Sequence, residues 1–297
     1  MTVVVVIGAG GKMGLRVTKK LHESPYETRA VEIGAAGRAK LDEAGIAVWE
    51  HDAAMEGADV VVLAVQDSIM EEVAKAAADR FPVANDASAD RMPGGKMLII
   101  MDAAAPFAGV LPERPDLTYF IGHPCHPPLF NEYPTMEERK DYHGGVAPQS
   151  IVCTLMQGPD AQYELGEDIC KTMWSPIINS YRITLDQMAI LEPGLSEMVA
   201  LPFVDVMAKA VDACAARGIP RQAAHEFLMG HLNVELAMWN GYSPRVPSDA
   251  AERLLRWATP HVVNPDWEKV LDPELIRDAC ELIANERIAE LKAARGD

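Results

Sequence analysis

Residues Thr2 to Ile7 read Thr-Val-Val-Val-Val-Ile, and Gly8-Ala-Gly-Gly-Lys-Met-Gly14 follows without a break. A short, continuous, β-branched apolar run is a strand buried on both faces, as in a parallel sheet. Beyond the glycines, Met13, Val17 and Leu21 recur at helical spacing. The glycines therefore mark a strand-to-helix turn. A missing Cβ there permits positive φ and lets a phosphate approach the amides at a helix N-terminus.

The spacing is G-x-x-G-x-x-G rather than G-x-G-x-x-G, so context carries the reading. Arg29-Ala-Val-Glu-Ile33 supplies a second short strand ending on Glu32, at the distance where an acid binds a ribose 2′-hydroxyl. A carboxylate there welcomes NAD and repels the 2′-phosphate of NADP, while Lys12 and Arg38 are nearby cations that weigh the other way. A solvated strand-end acid would explain Glu32 alone. It would not explain strand, glycines, helix, strand and acid in that order. The expected NAD site comprises Gly8, Gly10, Gly11, Lys12, Met13, Gly14 and Glu32, with Gln66 and Glu71 after the next strand.

Ala58 to Val65, Lys96 to Met101 and Leu117 to Ile121 read as further strands, and Ser68 to Phe81 as a helix. Alternation of this kind implies a parallel sheet with right-handed crossovers, whose ligands bind beyond the strand C-termini. The residues to watch are Gln66 and Asp67, Asp102 to Pro106, and Gly122 to Pro128. From about Asp160 the patterns become long and helical: 186–217, kinked at Pro193 and Pro202, then 221–239 and 273–294. The expected fold is α/β: an N-terminal Rossmann, doubly wound parallel sheet over 1–128, followed by an all-helical C-terminal domain over 129–297. Its Met, Ala and Leu content suits the shared core of a homodimer.

A net charge of −17 disfavours nucleic acid and anionic membranes as partners. An anionic small-molecule substrate would need local positive charge or a metal. No apolar stretch reaches the length of a membrane span, and the opening run lacks the basic flank of a signal peptide. The five cysteines are scattered, with no C-x-x-C pair, which fits a reducing cytoplasm.

Two stretches carry candidate chemistry. In Gly122-His-Pro-Cys-His-Pro-Pro128 the prolines favour polyproline II, whose three-residue repeat would project His123 and His126 from one side. They read as metal ligands or a general base, against the alternative of a stiff linker whose histidines only hydrogen-bond. In Leu191-Glu-Pro-Gly-Leu-Ser-Glu197, Glu192 precedes a proline and is pushed toward extended geometry within an apolar helical region. Glu197, five residues on, is the weaker candidate of the two. Both acids could instead be helix-start residues stabilised by the dipole. His231 and Glu235 share a helical face, where a plain salt bridge is the simpler reading. Asn233, Asp186, Lys171 and Arg182 are polar residues without rank.

The overall plan resembles the 6-phosphogluconate dehydrogenase superfamily, and "GHPCHPPLFNE" (122–132) with "LEPGLSE" (191–197) resembles the D-apionate oxidoisomerases. Many β-hydroxyacid dehydrogenases of that superfamily carry a lysine early in the long central helix. Here 185–217 holds only Lys209, and Glu192 occupies the early position. A carboxylate cannot replace a protonated lysine, but it can hold a divalent metal such as zinc or magnesium. The resemblance implies NAD-dependent oxidation of a branched sugar acid, D-apionate to 3-oxo-isoapionate, with a metal-assisted 1,2-shift. On that reading His123 and Glu192 bind the metal, His126 is a further ligand or a base, and Glu197 is catalytic. The competing expectations are a metal-free β-hydroxyacid dehydrogenase and a non-catalytic NAD-binding redox sensor.

Overall fold

The computed structural model describes residues 1–83 and 95–284 and divides into two compact units. The first comprises Met1–Pro128, Tyr133–Glu192 and the residues from Arg277; the second comprises Leu129–Glu132 and Pro193–Ile276. The sheet lies in the first unit. Its strands are β1 (Val3–Ile7), β2 (Glu27–Val31), β3 (Val60–Leu63), β4 (Met97–Ile100), β5 (Thr118–Pro124), β6 (Gln149–Gln157) and β7 (Ile177–Arg182). They are ordered β2-β1-β3-β4-β5-β6-β7, parallel throughout except for the antiparallel pair β5–β6. The chain reverses its direction of progress between β1 and β3, so the ligand crevice lies beyond the C-termini of those two strands.

The apolar strands β1, β3 and β4 are buried at every position, as their unbroken apolar runs require. Alternate residues feed two cores. Val5, Leu63, Leu98 and Ile100 pack on one face of the sheet; Val4, Val6, Ile99 and Phe120 pack on the other with Val17, Leu21 and Trp174. Helices α1 (Lys12–His22), α2 (Ala35–Glu43), α3 (His51–Met55), α4 (Met70–Arg80), α5 (Ala104–Phe107), α6 (Met136–Arg139) and α7 (Tyr163–Met173) accompany the strands. Then come α8 (Leu185–Ala189), a helical stretch Ile190–Ala200 broken at Glu192, and α9 (Leu201–Ala215). They are followed by α10 (Arg221–Trp239), α11 (Asp249–Val262) and α12 (Pro273–Ala284).

Three expectations change. The sheet does not end near residue 121: β6 and β7 extend it, and 133–192 joins the first unit, so the division drawn at 128 differs from the observed one. One strand pair is antiparallel, because β5 and β6 meet across the connection through α6 rather than a helical crossover. Gly122–Pro124 is not polyproline but the end of β5, with His123 opposite Val152. Helices occupy the expected stretches 186–217 and 221–239; the first is broken at Glu192, just before Pro193, whereas Pro202 sits in the first turn of α9. The part of the 273–294 helix beyond Ala284 lies outside the described residues.

In the second unit α9 and α10 pack as a pair. Gly218, at φ +87, makes the left-handed turn that ends α9. Among the described residues, no helix is long and apolar enough to cross a membrane.

Candidate active site

The glycine turn is made by backbone contact. Gly8 sits at φ +81, and a Cβ there would lie 2.4 Å from the Ala64 carbonyl oxygen just past β3. A Cβ on Gly14 would lie 2.0 Å from the Gly8 oxygen. The turn thus opens at the β1/β3 crevice, with Gly11 as N-cap of α1 and Lys12 exposed at its start. Met13 packs against the core as an ordinary helix residue.

Glu32 reaches back to this turn from the end of β2. Its carboxylate accepts the Gly10 amide at 2.9 Å and the Gly34 amide at 2.7 Å. Arg38 is engaged elsewhere: Nε donates to the Glu32 carbonyl at 2.7 Å and Nη2 lies 3.6 Å from Glu50. Gln66 caps the short turn before α4, and Glu71 is exposed in the first turn of α4.

The ends of adjacent strands supply a second cluster. His123 near the end of β5, Asp102 just after β4 and Glu192 each offer a ligand atom, and these atoms lie within 4.8 Å of one another. His123 Nε2 is 3.9 Å from Glu192 Oε2, and its Nδ1 is 3.8 Å from Asp102 Oδ2. Nδ1 also lies 2.8 Å from the Met101 carbonyl. That acceptor requires Nδ1 to carry a proton, so in the neutral ring Nε2 is the nitrogen that offers a lone pair, the tautomer found around metal-bound histidines. Asp102 is held by its own turn, with Oδ1 accepting the Ala104 amide at 2.7 Å. Glu192 has φ −136 and ψ 108, the extended geometry that Pro193 dictates, and this takes it out of the helix to join the group.

Bonded at about 2.0–2.6 Å, a divalent cation keeps its ligand atoms about 3–5 Å apart. One imidazole and two carboxylates at the observed spacing fit such an ion. Asp102 lies in a segment the strand pattern marks for attention, yet no spacing singles it out. The β4–β5 register does, since pairing of Ile100 with Ile121 brings Asp102 beside His123.

His126 is not in this cluster and does not repeat the projection of His123. Its φ is +61, a left-handed conformation outside polyproline II. Its Nδ1 lies 3.2 Å from the His143 carbonyl, and the two imidazoles meet edge to face, 5.9 Å apart. Burial lowers the His126 pKa from its ordinary value. The His143 carbonyl acts in the opposite sense, and the charges of His123, Arg16 and His143 lower it further. The ring is therefore neutral near pH 7, with Nε2 as its basic nitrogen.

Glu197 belongs to the second unit. Lys171 pairs with Glu167 and Arg182 with Asp160. His231 stacks on Phe227 and faces its carbonyl at 2.8 Å, a contact inside α10 rather than a site element.

Comparison with known proteins places this geometry in a family. Residues 131–284 match the phosphogluconate dehydrogenase (decarboxylating) C-terminal family. A D-apionate oxidoisomerase of Rhizobium rhizogenes is 44% identical over 95% of this chain and 100% of its own length. A crystal structure of a protein from Jannaschia sp. CCS1 is 53% identical, covers 96% of this chain and 99% of its own, and superposes with a TM-score of 0.87. A semialdehyde dehydrogenase NAD-binding protein from Cupriavidus necator, crystallised with calcium and NAD, is 42% identical with a TM-score of 0.89, covering 95% of this chain and 99% of its own. The chain belongs to the D-apionate oxidoisomerase family, within the 6-phosphogluconate dehydrogenase-like superfamily, and is an oxidoreductase with a dinucleotide-binding fold.

Proposed function

We propose that the protein oxidises D-apionate with NAD and couples the oxidation to a 1,2-shift, giving 3-oxo-isoapionate. The observation that carries the metal-assisted part is the Asp102–His123–Glu192 cluster, with His123 Nδ1 turned to the Met101 carbonyl and Nε2 turned to Glu192. Membership of the oxidoisomerase family and the calcium and NAD bound by the Cupriavidus necator protein support the same reading.

Gly8, Gly10, Gly11 and Gly14 leave the space for a pyrophosphate at the start of α1, where the helix N-terminus favours an anion. Lys12 adds positive charge at that end of the helix, and Met13 anchors its first turn. Glu32 would take the adenosine ribose hydroxyls, while Gln66 and Glu71 line the far side of the crevice. Asp102, His123 and Glu192 would hold the divalent cation, which when bound polarises the substrate's oxygen atoms and stabilises negative charge on them.

The reaction removes hydride from the secondary carbinol carbon beside the carboxylate, sends it to the nicotinamide, and releases the hydroxyl proton. Loss of the tertiary hydroxyl proton then drives a hydroxymethyl group, with its bonding pair, onto the new ketone carbon. That carbon's oxygen takes up a proton, and the product is a β-keto acid. His126 Nε2 is the base that accepts the tertiary hydroxyl proton, and Glu197 is the second acid–base residue. Reduction of NAD with D-apionate tests this reading; turnover of simpler β-hydroxyacids alone would overturn it.

Glu32→Gln removes the charge that opposes a 2′-phosphate and keeps one acceptor for the loop amides. The expected result is a fall in the NAD-over-NADP preference of about tenfold or more, because each factor of ten is about 1.4 kcal/mol and like charges in contact cost several times that. Initial rates with the two cofactors measure it, and an unchanged preference would remove Glu32 from the ribose site.

The functional unit is a homodimer built on the helical region. Over its 19 residues α10 has none buried; Phe227 is 68% exposed and Trp239 83%. A groove of about 600 Å³ between α9 and α10 is lined by Val211, Ile219, Phe227 and Leu228. So large an exposed apolar surface is covered by a partner in a stable protein. Sedimentation velocity is expected to give a dimer that Phe227→Asp dissociates, and a monomeric wild type would refute it.

A further inference from the structure

Arg16 lies on α1, just past the glycine turn, and is one turn too deep to be part of that turn. Its Nη1 donates to the backbone carbonyl of His143. The same oxygen is the partner of His126 Nδ1 at 3.2 Å. One carbonyl oxygen has two lone pairs and can accept both donors. Arg16 Nε and Nη2 are buried and have no hydrogen-bond partner among the described residues, so its hydrogen bonding to the loop falls on that one oxygen. The guanidinium is held in place by the Trp174 ring, 5.0 Å from its centroid.

The loop is shaped to present this carbonyl. Asp141 accepts the Val146 and Ala147 amides at 2.8 and 2.9 Å. Burial opposes the charge on Asp141, but these amides, the Gly144 amide and the Arg16 charge outweigh it and lower its pKa. Gly144 and Gly145 take φ of +81 and +118, and a Cβ on Gly145 would stand 3.4 Å from Arg16 Nε. Arg16 thus meets the backbone of the loop directly. At the other end, His126 is held at φ +61, a conformation that an ordinary L-residue rarely adopts and that persists only when its surroundings impose it.

We propose that Arg16 is a positioning residue: by fixing the His143 carbonyl it sets the tautomer and direction of the His126 ring and ties that base to the helix that carries the cofactor. The inference rests on the reading of His126 as the base. In this role Arg16 acts through His126 rather than on substrate or metal.

A double-mutant cycle between Arg16 and His126 tests it, with folding checked by thermal melting. Arg16→Met is expected to lower kcat about ten- to hundredfold, as loss of an orienting partner does, with KM for NAD and for D-apionate unchanged within about twofold. Arg16→Lys keeps a charged donor and should recover most of that loss. In a His126→Asn background, Arg16→Met should cost almost nothing further, because residues that act as a unit are not additive. Should Arg16→Met fail to fold, Arg16→Leu takes its place in the cycle, since it too removes both the charge and every donor. An unchanged kcat in the Arg16 variant, or the same loss in both backgrounds, would overturn the proposal. If His126→Asn alone leaves kcat unchanged, the base reading has failed instead, and the two failures are told apart by which single variant is silent.

Discussion

Glu192→Gln is expected to abolish turnover while leaving NAD affinity within about twofold of wild type. The side chains are the same size, and the backbone at 192 is set by Pro193 rather than by the carboxylate, so the local fold should survive. What is lost is one negative charge in a group of three ligands. An amide oxygen is a poorer partner for a divalent cation, and kcat should fall by at least about a thousandfold, roughly 4 kcal/mol of lost stabilisation. Glu192 and the glycine turn are different parts of the first unit, and the Glu32 loop contacts involve no residue of the metal cluster. Equilibrium titration with NAD beside steady-state rates separates the two effects. A variant that loses NAD binding, or one that keeps its rate, would remove Glu192 from the metal.

His126→Asn is the second large effect. Asparagine tolerates the left-handed backbone better than most residues, so the variant should melt near the wild-type temperature. It can still donate to the His143 carbonyl, but it has no nitrogen that accepts a proton. Removal of a general base lowers kcat by about a hundred- to ten-thousandfold, and that is the loss expected. The wild-type pH profile should agree. A base must be neutral to act, and burial of His126 favours the neutral ring, so activity should persist below the ordinary histidine pKa of about 6.5 and decline only further into acid. A kcat within tenfold of wild type for His126→Asn would return the residue to a purely structural role.

Much of this is legible in the chain, because its strongest signals are local. A β-branched run can only be a doubly buried strand, and three glycines before a helical pattern can only be a turn, so β1, the turn and α1 follow from about twenty residues. Glu192 is legible because it breaks a rule of its surroundings: a proline and an acid interrupt an apolar helix. What depends on distant pairing is not legible. β6 is separated from β5 by a long connection through α6, so the antiparallel extension of the sheet, and with it the first unit's reach to Glu192, depends on contacts across that connection. Asp102 is an ordinary strand-end acid until the β4–β5 register sets it beside His123. The proline-rich stretch misleads in the same way. Proline count favours polyproline, but ladder pairing holds His123 in β5, and the His143 carbonyl meets His126 in a left-handed turn.

The coupling of oxidation to a carbon shift is the central claim, and carbon-13 NMR of the product from labelled D-apionate, with NAD and with or without a chelator, tests it most directly. The expected product is a rearranged β-keto acid, formed as NAD is reduced, absent when the chelator is present and restored by added divalent cation. An unrearranged 2-keto acid, accumulating at the same rate whether or not the chelator is present, would contradict it.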